Sequence, residues 1–121
     1  LQDDYDLFIL GLGANDMLRG ISPETTKANL KEIIKIVQKN NIPILLTGMR
    51  APSSYGQDYQ SSFNSIYPQL ADEYQIFLYP FLLEGVALNT KLNQSDGKHP
   101  NSTGIALISK KIAEKIIKIM N

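Results

Sequence analysis

Three short apolar runs divide the chain: Tyr5 to Leu12 (YDLFILGL), Ile42 to Thr47 (IPILLT) and Gln75 to Tyr79 (QIFLY). None alternates polar with apolar residues, which is the pattern of strands buried on both faces in a parallel sheet. Between and after these runs the apolar positions recur at helical spacing. Ser22-Pro23-Glu24-Thr25 is a helix start, with Ser as the cap and Pro in the first turn. Leu30, Ile33, Ile34 and Val37 continue it, and Asn40, Asn41 and Pro43 end it. A second helix is expected from Asp58 to Tyr74, with Phe63, Ile66, Tyr67 and Leu70 on one face and a kink or break at Pro68. A last helix follows Asn101. It should turn Ile105, Ile108, Ile112, Ile116 and Ile119 inward and leave Lys110, Lys111, Lys115 and Lys118 as a solvated face.

The order β-α-β-α-β-loop-α predicts a doubly wound α/β fold with right-handed crossovers, formed as a single domain over residues 1–121. In such a fold the ligand site lies beyond the carboxyl ends of the strands. Three loops leave those ends: Gly11 to Ile21, Gly48 to Gln57 and Pro80 to Asn101.

Composition narrows the chemistry. Twelve basic residues balance twelve acidic ones, so no strong field draws the chain to nucleic acid or to an anionic membrane. The absence of cysteine excludes disulfides, thiolate catalysis and Cys-ligated metals. No apolar run reaches the roughly 18–20 residues of a membrane span, so stable membrane insertion is not expected. The first residues, Leu1-Gln2-Asp3-Asp4, are neither basic nor apolar and show no signal-peptide pattern.

Two loop segments carry candidate chemistry. Gly11-Leu12-Gly13-Ala14-Asn15-Asp16 follows the first strand. Gly13 permits a tight exit, and the neutral amide of Asn15 suits an oxyanion because it donates without adding a proton equilibrium. The same residue types also make an ordinary turn. Ser95-Asp96-Gly97-Lys98-His99-Pro100-Asn101 contains the only histidine. Through a Gly-containing turn, Asp96 can fold back on the imidazole, hold one ring nitrogen as a donor and leave the other as a general base. A surface histidine in a polar loop is the plainer alternative.

Together these segments resemble the SGNH (GDSL) hydrolases. Gly13-Ala14-Asn15-Asp16 is similar to the third conserved block of that family, and Asp96-Gly97-Lys98-His99-Pro100 to the fifth. Leu12 to Gly20, Arg50 to Gly56, Ser65 to Leu70 and Tyr79 to Leu82 are similar to the bacterial thioesterase I, lysophospholipase and arylesterase branch, so the resemblance covers essentially the whole chain. It implies a three-layer, flavodoxin-like fold around a five-stranded parallel sheet, of which this chain supplies the last three strands. It implies a serine ester hydrolase working through an acyl-enzyme on acyl esters or thioesters, with no metal or organic cofactor. His99 would be the base, Asp96 its orienting partner and Asn15 an oxyanion donor. The Asp16 to Ile21 and Arg50 to Tyr55 segments would line the acyl site, which makes Met17, Leu18, Ile21, Arg50, Pro52 and Tyr55 candidate substrate contacts; ordinary packing explains the apolar ones equally well. The resembled branch is often exported, which implies a periplasmic or secreted setting.

The family's Gly-Asp-Ser-Leu block, with its nucleophilic serine, does not occur in these 121 residues, nor does the second block with its oxyanion-hole glycine. Ser22, Ser53, Ser54, Ser95 and Ser102 are poor substitutes, because none sits in a nucleophile elbow. The expectation is therefore a serine supplied from outside this chain. A sheet missing two strands would present an apolar edge, predicting a dimer or complementation by an N-terminal segment. Two rival readings remain: an inactive or binding-only SGNH-like module, and a signalling or nucleotide-binding module of similar topology. The second lacks the third glycine of the dinucleotide fingerprint.

Overall fold

The computed structural model describes residues 4–121, so Leu1, Gln2 and Asp3, part of the segment read above for a signal-peptide pattern, lie outside the described residues. The chain divides into two compact units, one ending at Pro80 and the other running from Phe81 to Asn121.

The first unit holds the whole sheet. Strands β1 (Phe8–Leu10), β2 (Ile44–Thr47) and β3 (Phe77–Tyr79) lie in the order β1-β2-β3, all parallel. The expectation of burial on both faces holds only for β2, whose four residues are all buried. In the flanking strands Ile9 and Phe77, which pair with Leu45 on either side, remain 46% and 44% exposed. Position in the sheet accounts for the difference, because only the middle strand has a strand on both sides. The paired segments are also shorter than the apolar runs. Tyr5 to Leu7 and Gly11 to Leu12 lie outside β1, and Gln75 is the left-handed cap of a helix (φ 53°).

Helix α1 (Ala14–Leu18) follows β1, α2 (Pro23–Lys39) precedes β2, and α3 (Gln57–Tyr74) follows a 3-10 turn at Ser53–Tyr55. Ser22 caps α2 as expected, its Oγ accepting from the Thr25 N–H. Leu30, Ile34 and Val37 of α2 join Phe63, Ile66, Tyr67 and Leu70 of α3, and Leu10, Ile44 and Leu46 of the sheet, in one core. Each such side chain contributes about 1.5–3 kcal/mol on burial. That packing explains why α3 continues through Pro68 instead of breaking there. Pro68 itself is exposed, while its neighbours Tyr67 and Leu70 are 1% and 0% exposed.

The second unit contains a series of turns, a narrow loop closed by an antiparallel bridge between Asn93 and Pro100, and helix α4 (Ser102–Met120). Asn101 caps α4, its Oδ1 accepting from Gly104 N–H at 2.9 Å. The inward isoleucine stripe is only partly realised. Ile108, Ile112, Ile116 and Ile119 are half-buried, but Ile105 is 53% exposed. The lysine face is also less open than expected, since Lys111 and Lys115 are half-buried and Lys111 Nζ donates to the Glu84 carbonyl at 3.3 Å. Long aliphatic stems let lysine cover apolar surface while the ammonium finds a polar partner.

Candidate active site

The His99 loop is shaped by its own backbone before any side chain matters. Gln94 N–H donates to the His99 carbonyl at 2.8 Å and Gly97 N–H to the Gln94 carbonyl at 2.9 Å, closing a tight reversal. Gly97 has φ +70°, a conformation that most side-chain-bearing residues resist. The loop base is tied by amide side chains. Asn93 Nδ2 donates to the Val86 and Asn89 carbonyls at 2.7 and 2.8 Å, and Asn101 Nδ2 to the Lys91 carbonyl at 2.9 Å.

This reversal brings Asp96 onto His99. Lys98 and His99 N–H groups donate to Asp96 Oδ1 at 2.9 and 3.1 Å, while Asp96 Oδ2 lies 2.7 Å from His99 Nδ1. The hydrogen bond from the His99 side chain, then those from the two backbone N–H groups, lower the Asp96 carboxyl from its ordinary 3.8 to about 2. An ionised carboxylate can only accept, so Nδ1 is the nitrogen that carries hydrogen and Nε2 of the neutral ring is left as the basic one. The pair is open to solvent, His99 at 57% and Asp96 at 42% exposure. Among the described residues no serine hydroxyl is hydrogen-bonded to this ring.

Asn15 lies in the first unit. It is the second residue of α1 and exposed, so the stretch read as a loop contains a five-residue helix. The residue before it, Gly13, caps the helix with φ +119°. Asn15 borders a cavity of about 410 Å³ that is also lined by Leu12, Gly13, Arg19, Asn29 and Ile33. The apolar candidates divide. Met17 is 6% exposed and sits in the core, so packing accounts for it and no substrate contact is assigned to it. Leu18 packs on that core, and Ile21 is half-buried with its carbonyl accepting from Tyr59 Oη at 2.8 Å. Arg50 and Pro52 are exposed, whereas Tyr55 is half-buried with its ring 5.7 Å from that of Tyr59. None of Met17, Leu18, Ile21, Arg50, Pro52 or Tyr55 lines the cavity beside Asn15. The structure thus brings Asp96 and His99 together within the second unit. Arg19 and Asn29, which no motif in the sequence marks, line the same cavity as Asn15.

Among the described residues no cluster of three or more His, Asp or Glu side chains could hold a metal ion, and no helix is long and apolar enough to cross a membrane.

Comparison with known proteins places these features in context. Residues 1–107 match the model of the GDSL-like Lipase/Acylhydrolase family. The chain is 37% identical over 113 residues to thioesterase 1/protease 1/lysophospholipase L1 of Escherichia coli (strain K12), covering 93% of this chain and 54% of that protein. It is 34% identical over 117 residues to an arylesterase of Vibrio mimicus, covering 97% and 58% respectively. Among solved structures, an SGNH-hydrolase family esterase, AlinE4, is similar with a TM-score of 0.76 and 41% identity, covering 100% of this chain and 64% of that one. The chain therefore spans about half the length of the curated relatives it matches. The SGNH-type fold expected from the motifs is the fold of this structural neighbour.

Proposed function

The chain belongs to the GDSL-like lipase/acylhydrolase family, and on that premise we propose that the complete protein hydrolyses carboxylic or thioesters through a covalent acyl-enzyme. The observation that carries this reading is the 2.7 Å contact between Asp96 Oδ2 and His99 Nδ1, which leaves Nε2 available as a base. A serine hydroxyl from outside these 121 residues attacks the acyl carbonyl, and its proton passes to His99 Nε2. The oxyanion is held in part by the Asn15 amide. Collapse expels the alkoxide or thiolate, which takes the proton from His99; water then repeats the sequence and frees the acid. No metal or organic cofactor enters this scheme. The substrates are acyl esters, in keeping with relatives named for thioesters, lysophospholipids and aryl esters. From the resemblance we also carry over a periplasmic or secreted setting, and a chain without cysteine is indifferent to the redox difference this entails.

The test uses a fluorophosphonate and intact-mass analysis. The complete protein should take up one equivalent on a serine, and the 121-residue chain alone none. A complete protein that stays unlabelled while it turns over ester would reject the serine mechanism, and a stoichiometric adduct on the short chain would show that the nucleophile lies within it.

The sheet edge suggests a partner. Among the described residues β1 pairs only with β2, and Ile9 is 46% exposed. In our reading a further strand covers β1, supplied by the rest of the complete protein or, for the isolated chain, by a second copy. Light scattering behind size exclusion should therefore show the isolated chain as a dimer; a well-folded monomer would defeat this.

A further inference from the structure

Tyr55 of the 3-10 turn and Tyr59, Phe63 and Tyr67 of helix α3 form a ladder of rings at four-residue spacing, with centroids 5.7, 6.1 and 5.8 Å apart. Core packing explains the rings but not where their hydroxyls go. Tyr67 Oη donates to the Leu12 carbonyl at 2.9 Å, and Tyr59 Oη to the Ile21 carbonyl at 2.8 Å. Two tyrosines eight positions apart thus fasten the two ends of the segment that contains Asn15. A third tie lies between them: Thr26 Oγ1 of α2 donates to Asp16 Oδ2 at 2.9 Å. Tyr67 and Thr26 are each only 1% exposed, so their polar atoms depend on these partners.

The segment needs such ties. Helix α1 has five residues and its cap, Gly13, offers no side-chain hydrogen bond. A helix that short is not self-sustaining. The backbone at Gly13 passes so close to the tyrosine that an added Cβ would collide with Tyr67 Oη. Burial first, and then the negative charge of Asp16, push the Tyr67 phenol well above its usual value, so it stays protonated as a donor.

We infer that Tyr67 and Thr26 are positioning residues that set the geometry of Asn15 through the Leu12 carbonyl, the Gly13 backbone and the Asp16 carboxylate. The inference rests on reading Asn15 as an oxyanion donor. A donor that must meet charge only in the transition state is worth most when it is held in place beforehand. Displacement by about 1 Å can cost on the order of 100-fold.

The experiment is a double-mutant cycle in the complete, serine-bearing protein. Asn15→Ala alone should lower kcat by about 10²–10³-fold. Tyr67→Phe, which keeps the ring and removes only the hydroxyl, should lower kcat roughly 10–100-fold with KM within about twofold. In the Asn15→Ala background Tyr67→Phe should cost less than about twofold, because the group it positions is gone. Thr26→Val, close in shape, should follow the same pattern and serves if Tyr67→Phe folds poorly. Effects that multiply in the double variants, or a Tyr67→Phe change confined to KM or to the thermal midpoint, would overturn the positioning role while leaving the oxyanion reading intact. Unchanged kcat in Asn15→Ala would overturn both.

Discussion

His99→Ala in the complete protein should lower kcat for an aryl ester by about 10⁴–10⁶-fold, with KM nearly unchanged. The size follows from what the ring does twice. In the proposed mechanism it removes the serine proton during attack and returns it to the leaving group. Its ring is 57% exposed and is hydrogen-bonded to Asp96, so removing it disturbs a solvent-exposed loop and not the core. Because the site is open, imidazole added to the assay should restore part of the lost rate. Stopped assays with wild-type and variant protein at equal folded concentration would measure this, and a loss under about tenfold would remove His99 from the mechanism.

Asp96→Asn comes second in size, with kcat lower by about 10²–10⁴-fold. The substitution keeps shape and removes charge. An amide can present either its oxygen or its nitrogen to Nδ1, so the ring is no longer held as a donor on that side and Nε2 is no longer reserved as the base. The pH dependence of stability follows from the lowered carboxyl. Asp96 in the folded loop stays ionised down to about 2, against an ordinary 3.8. As pH falls, the unfolded chain therefore takes up the proton first. The contribution of Asp96 is fully present above about pH 4 and is lost as pH falls toward 2. Urea midpoints of wild type and Asp96→Asn should differ at pH 6 and converge as pH approaches 2. A gap that widened on acidification would contradict the assigned ion. The same reasoning means that an activity loss between pH 4 and pH 6 does not come from protonating Asp96.

Much of this was legible in the sequence because it depends on short-range rules. Ser22 followed by Pro23 and Glu24 announces a helix start whatever surrounds it, and Ser22 is the cap. Asp96, Gly97 and His99 lie within one turn, so their contact needs only a reversal that Gly97 permits. The limits of the strands were less legible. Apolar content shows that a residue can be buried, but which strand lies in the middle is decided by pairing, and that is why β2 is enclosed while Ile9 and Phe77 are not. Met17 illustrates the same limit, since an apolar residue beside Asn15 suits a substrate wall or a core equally, and packing put it in the core.

The sequence by itself determined the alternation of strands and helices and the pairing of Asp96 with His99, because each is encoded by residues close together along the chain. The tertiary structure alone decided what ties down the segment on either side of Asn15. Tyr67 is fifty-five positions from Leu12 and Thr26 ten from Asp16. Nothing local in the chain tells a buried hydroxyl which distant carbonyl or carboxylate it will find. That choice is made when α2 and α3 pack, because a polar group taken out of water must end beside a partner.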